Sequence, residues 1–183
     1  ADYSSLNSRT LRALGNLEAR LTATDRLTLT GRVGTDVYGV DELRWRSPKV
    51  DRASSSSVGG EGASGRTSAT RYVSEAFGNY DVIRNERQQL ALTGGGSVEY
   101  NKSDFNYVSG TGFPTGFETY VRNAAAVSSF DGGATENTLV SYFARSNWSM
   151  RDRYLLSASF RTDGSSRFGS ANRYGQFSAI SGA

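Results

Sequence analysis

Two stretches towards the C-terminal end, Leu139–Met150 and Tyr154–Asp163, constrain this chain more than any others. Val140, Tyr142, Ala144, Trp148 and Met150 fall on one face; Ser141, Arg145, Asn147 and Ser149 fall on the other, with Phe143 as the exception. After Arg151-Asp152-Arg153 the pattern resumes, with Tyr154, Leu156, Ala158 and Phe160 opposed to Ser157, Ser159, Arg161 and Asp163. A period of two sustained this long makes a strand with one apolar and one polar side. Two such strands around a short polar break make a β-hairpin. Strands of soluble proteins usually have about 5–6 residues, whereas a tilted membrane-spanning strand needs about 9–11. Each segment here runs to about ten, the membrane length. Trp148, Met150 and Tyr154 flank the turn, as one rim of an aromatic girdle would. An ordinary hairpin with a half-buried face shares the same alternation.

The period recurs upstream. Leu11, Ala13, Gly15, Leu17, Ala19, Leu21 and Ala23 oppose Arg12, Asn16, Glu18, Arg20 and Thr22, with Leu14 out of phase. Helix competes here, because Leu, Ala, Arg and Glu favour it; the unbroken period of two decides for strand. Thr24-Asp25-Arg26 is a polar turn, and Leu27, Leu29, Gly31, Val33, Thr35 and Val37 continue as the second arm of a hairpin. Leu90, Leu92, Gly94, Gly96, Val98 and Tyr100 repeat the pattern, and three consecutive glycines within that run call for a bend or a close neighbour. Arg71–Glu86 either pairs as a strand or crosses a loop region. The expected fold is all-β, an antiparallel meander of long strands near 11–23, 27–38, 89–108, 138–150, 154–163 and 174–181. Long loops are expected over 41–70, 110–136 and 164–173. Short turns at one end and long loops at the other make the pattern of an outer-membrane β-barrel; a soluble sandwich would turn every 8–12 residues or so.

Composition narrows the chemistry. Among 183 residues there is no cysteine and no histidine, so thiolate chemistry and a histidine-based hydrolytic triad are excluded within this chain. Asp41 and Glu42 are adjacent and would face opposite ways on a strand, and no spacing sets a carboxylate pair across a cleft for glycoside hydrolysis. Asp131-Gly132-Gly133 lacks the spacing of a calcium loop, and the glycine-rich SSSSVGGEGASG lacks the phosphate-loop lysine. Neither metal nor cofactor is expected, nor catalysis. A net charge of +3 gives no sign of a nucleic-acid partner. No run of about 18 apolar residues is present, so a transmembrane helix is not expected, which leaves a barrel open. The first residues, ADYSSLNSRT, lack a basic start and an apolar run, so no signal peptide is expected there.

The residues Arg161, Asp163, Gly164, Ser165, Ser166, Arg167, Phe168 and Gly169, followed by Asn172-Arg173-Tyr174-Gly175, closely resemble the barrel signature of the SusC-like, TonB-linked outer-membrane transporters. Leu14-Gly15-Asn16-Leu17, Gly34-Thr35-Asp36 and Gly112-Phe113-Pro114 are similar to further segments of that family. The resemblance implies residues 1–183 as a segment of an outer-membrane barrel in a Gram-negative bacterium. It implies import of glycans or peptides, with a SusD-like surface lipoprotein as lid and energy from the TonB complex acting through a plug. The other partners implied are the rest of the barrel, the plug itself and outer-membrane lipid. The plug is not recognisable in this chain.

On this reading Arg161, Asp163 and Arg167 form a polar network facing the lumen, since Arg facing lipid at mid-depth costs about 2–4 kcal/mol. Trp45, Phe113, Phe117 and Tyr120 are the candidate loop aromatics for contact with a sugar or peptide; the competing reading, and the more ordinary one, is packing of the loop onto its neighbours and, for Trp45, a rim anchor at the strand end. Two other classes stay open on the sequence: a soluble β-rich, carbohydrate-binding module, and a small all-β enzyme acting on polysaccharide.

Overall fold

The computed structural model describes residues 4–47, 59–113, 120–151, 153–169 and 173–183. Among the described residues seven strands follow one another: β1 (Ser4–Thr24), β2 (Leu27–Arg46), β3 (Glu61–Arg84), β4 (Gln88–Thr111), β5 (Ala126–Met150), β6 (Tyr154–Ser165) and β7 (Tyr174–Gly182). They form one antiparallel sheet in the order β1-β2-β3-β4-β5-β6-β7, so every strand pairs with its neighbour in the chain. The fold is thus an all-β meander of long strands. A 3-10 turn, Val121–Asn123, precedes β5.

The tight turns are built by side chains that hydrogen-bond the backbone just ahead of them. Thr24 Oγ1 accepts from the amides of Arg26 and Leu27 at 3.2 and 3.0 Å. Asn85 Oδ1 accepts from the amides of Arg87 and Gln88 at 3.0 and 2.8 Å, which closes β3 onto β4. Between β5 and β6 the chain reverses through Arg151 in the left-handed region, φ 51°, and the Arg153 amide donates to the Met150 carbonyl at 3.1 Å.

The strands overrun the expected segments. The expected loop over 41–70 is a correction: β2 continues to Arg46 and β3 begins at Glu61. The ambiguous stretch 71–86 belongs to β3 and its turn. The expected loop over 110–136 shortens, because β5 begins at Ala126, and β1 begins at Ser4 rather than near 11. In the expected loop over 164–173, β6 runs on to Ser165 before the chain turns. The physical reason is common to all. An apolar alternation marks only where a strand has a greasy side. Once neighbours are in register, backbone pairing extends through Ser-, Thr- and Gly-rich residues that carry no such pattern.

The chain forms two compact units. One comprises Ala1–Ala13, Asp36–Thr70 and Lys102–Thr135; the other Leu14–Thr35, Arg71–Asn101 and Glu136–Ala183. In the first, the described residues bury a small aromatic node. Phe113 is 7% exposed and meets Trp45 edge to face, ring centres 5.0 Å apart at 84°. Gly60 and Gly62 make room for it: a Cβ on Gly60 would lie 2.5 Å from the Trp45 ring and one on Gly62 2.6 Å from the Phe113 ring. In the second unit the alternating apolar residues stay uncovered, Leu17 at 69% and Ile180 at 79%. Ala63 and Phe113 are the buried hydrophobic residues among those described. A soluble sandwich needs a second layer over that apolar side; the described residues supply none.

Candidate functional site

The second unit presents two unlike faces, set by strand parity. On the apolar face, Leu17, Val33, Ala76, Val98, Val140 and Tyr142 line one shallow hollow. The register keeps this face continuous: Tyr142 lies opposite Thr162, Ala144 opposite Phe160, Trp148 opposite Leu156 and Met150 opposite Tyr154, while Ala158 lies opposite Ile180. Tyr72 and Tyr100 stack on the same face with centres 6.4 Å apart and planes 22° from parallel.

The polar face is a chain of paired charges. Arg32 bridges strands, Nε to Glu18 Oε2 at 2.6 Å and Nη1 to Glu75 Oε2 at 3.4 Å, and lies 5.1 Å above the Phe77 ring. Arg71 Nη2 reaches Glu99 Oε2 at 2.7 Å, and Glu99 Oε1 accepts from Asn101 at 2.9 Å. Phe77 and Phe143 approach to 6.4 Å, and a Cβ on Gly95 would fall 2.5 Å from Phe77 Cβ. On the other side of the sheet a Cβ on Gly96 would come 3.1 Å from the Tyr142 ring. The consecutive glycines of β4 therefore admit rings on both faces, the close-neighbour alternative read from the sequence.

The residues singled out from the sequence divide into separate groups. Arg161 and Asp163 are a pair, with Arg161 Nε 2.8 Å from Asp163 Oδ1 and 3.0 Å from Oδ2. Arg161 Nη2 also donates to Ser141 Oγ at 3.2 Å, on a residue 1% exposed. Arg167 stands apart from them in the turn after β6, donating to Asn137 Oδ1 at 2.9 Å. Trp45 and Phe113 touch each other in the aromatic node, and Tyr120 is exposed beneath the guanidinium of Arg122 at 5.3 Å. Phe117 lies outside the described residues. Reasoning from sequence passed over Glu18, Arg32 and Glu75. Their signal was present: each sits at polar parity on its strand, with opposite charges on successive strands.

Exposed apolar residues alternating with paired charges, along long antiparallel strands with tight turns, are the pattern found in the strands of outer-membrane β-barrels. Comparisons with known proteins carry this further. No family model matches the chain. The TonB-dependent receptor SusC of Bacteroides thetaiotaomicron is 55% identical over 47 residues, 26% of this chain and 5% of that protein. The TonB-dependent receptors P39 and P3 of Formosa agariphila are 32% and 31% identical over 114 and 129 residues, covering 60% and 66% of this chain. The chain spans 11% and 12% of those two relatives. Among solved structures, the RagAB peptide transporter superposes with a TM-score of 0.90 over 98% of this chain and 20% of its own, at 23% identity, which speaks for the fold. The same importer in its closed-closed state gives 0.89 over 100% of this chain.

In sequence and in fold, then, the chain is similar to a barrel segment of the SusC-like TonB-linked transporters. The relatives are receptors and transporters rather than enzymes, and the non-catalytic reading rests on them.

Proposed function

We propose that residues 1–183 serve as wall and surface loops of a TonB-dependent transporter in the outer membrane of a Gram-negative bacterium, importing glycans or peptides. The observation that carries the proposal is the pairing of opposites across one sheet. Leu17 and Ile180 stand uncovered on the apolar face, while Arg32 donates to both Glu18 and Glu75 on the polar face. Water penalises the first arrangement, and hydrocarbon relieves it. From Leu27 to Val37 the apolar residues of β2 span about 26 Å along the membrane normal, at about 3.4 Å per residue and a tilt of about 40°. That is close to the roughly 25 Å apolar band of such barrels. The Tyr72–Tyr100 stack, and the Trp148, Met150 and Tyr154 cluster, fall where the two aromatic girdles of such a band belong.

On this reading the polar face looks into the lumen and onto a plug through which TonB acts. Arg161 and Asp163 belong to that lining, and Arg167 steadies the turn after β6. Tyr120 remains the exposed aromatic for ligand contact, and a SusD-like surface lipoprotein would close over the loops.

This chain contributes no cysteine of its own, so once any cysteine elsewhere in the polypeptide is replaced, single introduced thiols report each face. In the complete outer-membrane polypeptide, labels at Val33→Cys and Val98→Cys should be quenched by nitroxide-bearing lipid and resist a charged maleimide. A label at Ser159→Cys should do the opposite. Equal aqueous labelling at all three positions would overturn the membrane-wall reading.

A further inference from the structure

On the polar face of the second unit lies a groove of about 490 Å³, a size typical of small-ligand sites. Its lining draws on four strands, with Asn79 from β3, Thr93 from β4, Arg145 and Asn147 from β5 and Ser159 from β6. Register sets Arg145 directly opposite Ser159. The hydrogen bonds within the groove consume acceptors and leave donors. Thr93 Oγ1 donates to Asn79 Oδ1 at 2.8 Å, and Ser157 Oγ donates to Asn147 Oδ1 at 2.9 Å. Both amide groups therefore keep their N–H donors unspent. Among the described residues, the Arg145 guanidinium has no hydrogen-bond or ion-pair partner. The other cation lining the groove, Arg161, is engaged by Asp163. The groove's carboxylate, Glu75, faces Arg32. Phe143 lines the groove beside Arg145, whose exposed side chain is open to a solute.

We infer that Arg145 anchors an anion-binding subsite that takes the carboxylate of an imported solute, with Asn79, Asn147 and Ser159 as supporting donors. The inference rests on the reading that this face lines the import path. A planar guanidinium with free donors matches a carboxylate fork to fork, and the flanking amides satisfy the remaining lone pairs. Two sources share that chemistry, the C-terminal carboxylate of a peptide and the uronate group of an acidic glycan.

Binding and uptake separate the two claims. The complete transporter in detergent is titrated with a fluorescent hexapeptide bearing a free C-terminus and with its amide. A second arm uses trigalacturonate and its methyl ester. Uptake of all four is followed in cells with and without TonB. The unaltered protein should bind one carboxylate probe more tightly than its neutral twin. Arg145→Ala should weaken the carboxylate form about tenfold, the scale of one charge-assisted bond, and leave the neutral form unchanged. Arg145→Lys should recover part of the loss. The arm that shows the preference identifies the source. Absence of any carboxylate preference, or an equal loss for both twins in Arg145→Ala, overturns the subsite even if TonB-dependent uptake persists. Carboxylate-selective binding without TonB-dependent uptake leaves the subsite standing and removes the transport reading instead. Heat-modifiable migration of each variant in gels checks that the barrel has assembled.

Discussion

The aromatic node of the first unit and the bare apolar face of the second use hydrophobic residues in opposite ways. Phe113 is covered by Trp45, and two glycines are shaped around the rings. Leu17, with as strong a drive to leave water, is left open. The first arrangement is a core that the chain builds for itself. The second is half of a core whose other half is the solvent of the protein, hydrocarbon on the proposed reading. The stability of one should therefore be insensitive to lipid, and that of the other should depend on it.

The sharpest break of that contrast is Phe113→Ala. It removes a ring packed against Trp45 and should cost about 3–5 kcal/mol, in detergent and in bilayers alike; urea unfolding followed by tryptophan fluorescence measures it. Next comes Leu17→Arg, expected to cost about 2–4 kcal/mol in a bilayer and far less in detergent, where the long side chain reaches water. If the two media give the same value, Leu17 does not face lipid. Gly60→Ala places a side chain on a residue at φ 85° and against the Trp45 ring, and should cost about 1–3 kcal/mol. The smallest effect belongs to Arg71→Ala. Its pair with Glu99 is half-exposed, so the loss should stay below about 1 kcal/mol and shrink further in high salt.

The apolar face was readable because it has a period. Leu11 to Ala23, Leu27 to Val37 and Val140 to Phe160 announce both strand and sidedness in one pattern. The first half of β3 was not readable, since Glu61-Gly-Ala-Ser-Gly-Arg-Thr has no greasy side. Its strand character comes from pairing with neighbours already in register. The Asn85 turn carried a signal of its own, because Asn is the residue that bonds its own backbone two residues on. At the candidate site, Arg161 and Asp163 were named together and are bonded together. Arg167, named with them, instead serves the neighbouring turn. Arg145 stood at polar parity in the sequence without distinction, since nothing along one strand tells which charges the adjacent strands leave unpaired.

The order of side chains along the backbone was enough to determine that this chain makes long strands with one wet and one greasy side, because that depends on a local geometry repeating every second residue. Which charges meet across strands was decided by register, and which rings meet also by the path of the chain beyond β4. Trp45 finds Phe113, Arg32 finds both Glu18 and Glu75, and Arg145 is left with none among the described residues. The encounters that do form join residues far apart in the chain, and only the folded sheet with its connections brings them into contact.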